Sequence, residues 1–269
     1  MILMKLTDVV VSTNLNKLYL DFVPIFIRAW RALFPEIHIH ILLIAKKIPE
    51  DLKKYADDIV LFEPIEGVSD VFIAQFIRIL YPCICEAVGG VLTTDMDMIP
   101  MNTRYYTNHV EGLEDDCFVV WRHPFVWGNH LQTAICYNMA TKETWKKVFE
   151  IDSWDDIRRC LKEEYKKVEY DGKHGGVGWD TDQVVLYKKL MDWFYRKGGK
   201  PIVLGDELTR YKRLDRIHKI EKSETLAKEI QEGVYSDYHM RRPYKDNKDL
   251  NDWICEQLGK NDLKSSTQT

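Results

Sequence analysis

Asp95 and Asp97 stand one residue apart at the end of a short apolar run, within Gly-Gly-Val-Leu-Thr-Thr-Asp-Met-Asp-Met-Ile-Pro-Met at residues 89–101. In extended backbone, side chains at i and i+2 point to the same side, so both carboxylates can present oxygens to one point. Two such groups repel and stay ionised most easily with a cation between them, and hard ions such as Mg2+ or Mn2+ suit oxygen ligands. Asp is also a common turn residue, so a polar loop after a strand would show the same spacing. Pro100 is placed to stop a sheet ladder soon after.

Other residues could join such a site. Arg78 interrupts the apolar surface of a helix expected over 69–81, either as a salt-bridge partner or as a ligand contact. Asp180 and Asp182 precede a helical pattern, where the backbone dipole stabilises a carboxylate and helix capping alone could account for either. Arg122 to Gln132 reads as a loop rich in His, Trp, Gly and Asn, including His123 and Trp127. Buried Trp is more often core than ligand contact.

The elements that must position these residues alternate. Val9 to Val11 reads as a buried strand, followed by Ser12, Thr13 and Asn14, small polar residues of the kind found where a strand meets a ligand or a helix. Apolar residues from Leu18 to Leu33 recur at helical spacing, with Pro24 expected to kink or split the helix. Strands are expected at 39–44, 59–62, 117–121 and 133–139, with a last one at 201–204. Helices are expected at 49–55, at 69–81 capped by Ser69, at 142–151, and at 153–167 with a Ser153–Asp156 capping box. Further helices follow at 183–197, stopped by Gly198-Gly199, at 223–231 and at 250–258. This alternation predicts an α/β fold with a mainly parallel central sheet flanked by helices. Ligands gather outside the carboxyl ends of such strands, where Asp95 and Asp97 fall.

The chain of 269 residues can bury a substantial core, and 30% charged with 45% hydrophobic residues is ordinary for a globular protein. We expect a single catalytic domain over 1–258, with halves at 1–104 and 105–258, and a flexible tail at 259–269. A formal net charge of −4 without a basic face argues against a nucleic-acid partner. Six cysteines without a C-x-x-C pair read as reduced thiols, and no apolar run is long enough to span a bilayer. With no signal-peptide pattern at the N-terminus, a cytoplasmic location is expected.

Arg78, Gly89-Gly90 and Asp95-x-Asp97 together resemble the GT-A glycosyltransferases, in particular the polysaccharide and mannosyltransferase-like group with an Arg-containing helix, a Gly-Gly turn and a strand ending in Asp-x-Asp. The match is densest from Gln75 to Met101 and extends more weakly to Trp179–Gln183. Two positions depart from that pattern: Gln75 stands where the group has Asp, and Thr94 where it has Tyr or Leu.

The resemblance implies a UDP- or GDP-sugar donor along the strand tips, with base and ribose near Val11, Ser12, Thr13 and Asn14, and Arg78 on the donor side. It implies Mn2+ or Mg2+ held by Asp95 and Asp97, with His239 as third ligand and Arg241 or Arg242 on the diphosphate. Asp182, with Gln183, would lie beside the reactive centre, as a general base if the reaction inverts configuration. His123, Trp127 and Trp179 would meet a glycan or glycoprotein acceptor. Two rival readings remain at this point. In a haloacid-dehalogenase-like phosphatase Asp95 would be the nucleophile, but that pattern wants Thr or Val where Ile99 stands. The other is a non-catalytic nucleotide- or glycan-binding module.

Overall fold

The computed structural model describes residues 4–258; the tail expected at 259–269 lies outside them. Its strands are β1 (Leu6–Asn14), β2 (His38–Ile44), β3 (Ile59–Phe62), β4 (Gly90–Thr93), β5 (Met98–Pro100), β6 (Cys117–Val120), β7 (Phe125–Trp127), β8 (His130–Gln132), β9 (Asn138–Thr141), β10 (Lys200–Val203), β11 (Lys212–Asp215) and β12 (Tyr235–His239). The α-helices are α1 (Lys17–Leu20), α2 (Val23–Leu33), α3 (Asp70–Leu80), α4 (Thr103–Thr107), α5 (Lys142–Phe149), α6 (Trp154–Lys166), α7 (Thr181–Lys197), α8 (Asp206–Thr209), α9 (Glu224–Gln231) and α10 (Lys248–Leu258).

Seven strands form the central sheet in the order β10-β6-β9-β4-β1-β2-β3, parallel except for β9, which runs against both β4 and β6. The chain is thus a mixed α/β protein with a mainly parallel sheet between helices. Strand β1 shows why both faces are covered: Val9 and Val11 enter one apolar core, shared with α2 and α10, and Val10 enters the other, shared with α3, α5 and α7. Alternating side chains of a wholly apolar strand require a helical layer on each side.

Local chemistry explains most element ends. Pro24 splits its segment into α1 and α2, sitting in the first turn of α2 where a missing N–H costs nothing. Ser153 caps α6 by accepting from Asp156 N, and Asp156 accepts from Ser153 Oγ at 2.8 Å. Gly198 ends α7 at φ 66°. Ser69 is the cap residue of α3, but its side chain makes no capping bond.

Three expectations need correction. Residues 50–58 form 3-10 rather than α-helix. The strand expected at 133–139 is confined to β9, because 134–136 leave the sheet to wall a cavity. The loop expected at 122–132 holds the antiparallel hairpin β7–β8. Pro100 does stop a ladder, as expected, but it is that of β5, which pairs antiparallel to β12 after Asp97 and ends at Pro100. A second sheet, β11-β12-β5, results.

Candidate active site

A cavity of about 280 Å³ opens at the carboxyl ends of β1 and β4. It is lined from both halves of the chain, by residues 12–97 and by residues 134–242. Strand β4 delivers the acidic loop. Thr94 N still bonds Val10 O at 3.1 Å, and the chain then leaves the sheet through Asp95, Met96 and Asp97. Gly89 and Gly90 allow the approach: a Cβ on Gly89 would stand 2.6 Å from Lys5 O, and one on Gly90 2.9 Å from Met139 Sδ.

Asp95 and Asp97 both line the cavity, but they face different partners. The Arg78 guanidinium, rising from α3, bonds Asp95 through Nη1 and Asp182 Oδ2 through Nη2, the latter at 2.9 Å. Asp182 lies in the first turn of α7, is 2% exposed, and accepts at Oδ1 from Gln183 N at 2.9 Å. Burial pushes the Asp182 carboxyl up to about 6, with the Asp95 charge adding to the shift and Arg78 opposing it. Asp180 is the cap residue of α7 but its side chain makes no capping bond, whereas Asp182 combines a first-turn backbone contact with its ion pair to Arg78.

Asp97 is 4% exposed and sits among cations. Its Oδ2 meets Arg216 Nη1 at 2.5 Å, Arg242 Nε at 3.3 Å and His239 Nε2 at 3.5 Å. Burial opposes its charge, yet His239, Arg216 and Arg242 hold the carboxyl well below the usual carboxylate range. His239 comes from β12, whose pairing with β5 sets it opposite Met98. Its other nitrogen, Nδ1, faces Asp215 Oδ2 at 3.5 Å. Burial disfavours charge on this imidazole, but Asp215 and Asp97 outweigh it and raise its pKa above the ordinary histidine value.

Among the described residues, no group of three or more His, Cys, Asp or Glu side chains could hold an ion by itself. Asp97 and His239 Nε2 fit as a pair of protein ligands, because the facing Asp215 holds the imidazole by its far nitrogen, a common arrangement behind metal-binding histidines. Ions such as Mg2+ use few protein ligands and complete their shell with substrate phosphates and water.

Ser12, Thr13, Asn14, Gln183, Trp179 and Arg242 line the cavity as well, whereas Val11 is wholly buried behind it. Arg241 points away, with Nη2 donating to His218 O at 2.8 Å. His123 and Trp127 are not brought to the cavity: His123 pairs with Glu207 at 2.7 Å, and Trp127 is 68% exposed on β7.

Sequence reasoning missed several polar lining residues, among them Arg216, Tyr19, Gln75 and His174. Arg216 follows β11 and reaches Asp97, and Tyr19 accepts from Arg242 Nη1. Gln75 donates to Trp179 O at 2.9 Å, and His174 Nε2 meets Arg242 Nη2 at 3.0 Å. Arg216 lies in the mixed-charge run Lys212–Lys222, which carries no local signal of a site.

No protein-family model matches the chain, and neither does any curated protein. Among solved structures, the chain is similar to the galactosyltransferase LgtC in complex with donor and acceptor sugar analogues, at 12% identity over 94% of this chain and 96% of that one, with a TM-score of 0.48. It is also similar to the glycosyltransferase GlyE of Streptococcus pneumoniae TIGR4, at 13% identity over 94% of this chain but 60% of that one, with a TM-score of 0.48. These likenesses are remote, and the chemistry of the cavity rests on its own side chains.

Proposed function

We propose that the protein is a GT-A-type glycosyltransferase that moves a sugar from a nucleoside diphosphate donor to a hydroxyl of a glycan or similar acceptor. The carrying observation is that one cavity has two chemically different ends. At one end, Arg216, Arg242 and His239 gather around Asp97 and suit the oxygens of a diphosphate. At the other, Asp182 and Asp95, bridged by Arg78, offer carboxylate oxygens that suit the hydroxyls of a sugar.

Asp97 and His239 would hold Mn2+ or Mg2+. That ion would supply Lewis-acid neutralisation of the charge left on the departing nucleoside diphosphate. The chain's own groups do the rest. Arg216 and Arg242 bind the diphosphate oxygens, Arg78 keeps Asp182 ionised and oriented, and Asp182 accepts the proton of the incoming hydroxyl. The bond from the anomeric carbon to the phosphate oxygen breaks as the bond to the acceptor oxygen forms. Ser12, Thr13 and Asn14, at the tip of β1, are placed for the base and ribose, and Trp179 for the acceptor.

The phosphatase reading is weakened by Asp95, whose Oδ1 is occupied by Arg78 rather than presented to an electrophile. The deciding experiment is a panel of UDP-, GDP- and dTDP-sugars with and without Mn2+, read by thermal shift and by release of free nucleotide. Metal-dependent binding and turnover of one donor are expected. Binding of none, or phosphate release from simple phosphomonoesters, would overturn the proposal.

A further inference from the structure

The chain between α6 and α7 forms a loop with a narrow neck. A Cβ on Gly178, which sits at φ 75°, would lie 2.4 Å from Glu169 O, so the backbone entering the loop touches the backbone leaving it. Inside the loop, Asp171 N donates to Val177 O at 3.3 Å, Gly176 N to Lys173 O at 2.9 Å and Lys173 N to Asp171 Oδ1 at 2.9 Å. Gly172, His174 and Trp179 line the cavity, and the first two are exposed, which puts the loop at the cavity rim.

One side chain joins the neck to α3. Gln75 Nε2 donates to Trp179 O at 2.9 Å, and Gln75 Oε1 accepts from the Tyr170 hydroxyl. A single amide therefore holds the residue at which the loop begins and the residue at which it ends. An ionised carboxylate in its place would accept from Tyr170 but has no hydrogen to give the Trp179 carbonyl. Gln75 is also one of the two positions at which the chain departs from the glycosyltransferase pattern, which has Asp there. It stands one turn before Arg78 on the same helix and lines the same cavity.

The far side of the loop reaches the opposite end of that cavity. His174 Nε2 accepts from Arg242 Nη2 at 3.0 Å, and its ring centre stands 4.7 Å from that of Trp179. The loop thus runs from the start of α7, beside Asp182, to the cations around Asp97.

We propose that Gln75 is a positioning residue, whose amide ties the neck of the 170–179 loop to α3 and so keeps Trp179 and His174 at the cavity rim. Groups ordered before a ligand arrives spare it the entropy of ordering them. That these two residues meet donor and acceptor rests on the sugar-transfer reading. The tether does not, and it is tested without donor or metal, so its failure and the failure of that reading are told apart.

The test is hydrogen–deuterium exchange of the whole protein, read on peptides covering 170–179 in wild type, Gln75→Glu and Gln75→Ala, at pH 8 and pH 4.5, with intrinsic exchange rates divided out. At pH 8 both variants should exchange about tenfold or more faster than wild type in this segment, as expected for the loss of one or two hydrogen bonds. Protection of β1 and β4 should be unchanged. The Tyr170 ring also meets Phe72 edge-on at 5.3 Å, so the effect should be larger toward Trp179. At pH 4.5 the carboxyl introduced by Gln75→Glu takes up a proton and regains a donor for the Trp179 carbonyl. Its exchange should then return toward that of wild type at the same pH, while Gln75→Ala stays fast. Equal exchange of wild type and both variants at pH 8 would overturn the proposal. So would acceleration spread evenly through α3 and α7, or Gln75→Glu remaining as fast as Gln75→Ala at pH 4.5.

Discussion

Arg78 Nη2 donates to Asp182 Oδ2 at 2.9 Å, joining residues 104 positions apart across the cavity floor. Arg78 also holds Asp95, so one guanidinium ties the strand-tip loop to the start of α7. Arg78→Ala leaves Asp182 buried without its cation, and removing one partner of a buried pair costs about 3–5 kcal/mol. Denaturant unfolding should show that loss at pH 8. The deficit should shrink at pH 5, because Asp182 can then be buried as the neutral acid.

The pH dependence of activity follows from the same residue. Asp182 titrates at about 6, and its ionised form is the one that accepts a proton. The kcat/KM of the wild type should rise with pH through about 6 and level off above it. Stability moves the other way. A carboxyl raised above its unfolded value stabilises fully at pH below that value, and the contribution is lost as pH rises through about 6. Asp182→Asn should remove that loss from the stability profile and abolish turnover.

If the proposed donor site holds, Arg216 should separate diphosphate recognition from nucleoside recognition. It stands 2.5 Å from Asp97 in the cavity wall, whereas Ser12 to Asn14 lie at the tip of β1. Arg216→Ala should weaken a nucleoside diphosphate roughly tenfold to a hundredfold in the presence of Mn2+, as expected for lost charge-assisted bonds. Affinity for the free nucleoside should be unchanged in the same titration calorimetry.

Asp215 does not line the cavity but faces His239 Nδ1. Asp215→Asn keeps the shape and removes the charge, and such partners of metal-binding histidines are worth roughly 10–100-fold in metal affinity. Mn2+ titration of the nucleotide-loaded protein should show that drop, with secondary structure intact by circular dichroism.

Gly89 has no room for a side chain, since a Cβ would press on the Lys5 carbonyl at 2.6 Å and on Thr7 Cγ2 at 2.7 Å. Backbone cannot move aside as a flexible side chain can. Gly89→Ala should cost about 1–3 kcal/mol in denaturant unfolding.

Much of the sheet was legible because its strands are short, apolar and bounded by turn residues. Val9–Val11 and 39–44 announce themselves by composition, and Ser153 with Asp156 marks a helix start by its own hydrogen bonds. The second sheet was not legible. Strand β12 reads Tyr-Ser-Asp-Tyr-His, and its buried Asp237 is paired by Arg122 and Arg213, which arrive from distant segments. No local periodicity encodes such an arrangement. The hairpin hid for the opposite reason, since its apolar residues face outward on both sides and give no buried alternation.

At the site, Asp95 and Asp97 were legible as a motif, yet their division between two cation clusters was not. It depends on Arg216, His239 and Arg242, which reach Asp97 only because β12 folds back onto β5.

The central claim is that Asp97 anchors a metal-dependent diphosphate site. Titration calorimetry of UDP and GDP into wild type and Asp97→Asn, each with Mn2+ and with the metal chelated, tests it directly. We predict that one nucleotide binds wild type with Mn2+ and loses most of its affinity on chelation, and that Asp97→Asn binds weakly in both conditions. Equal affinity of wild type and Asp97→Asn in the presence of Mn2+ would contradict the account.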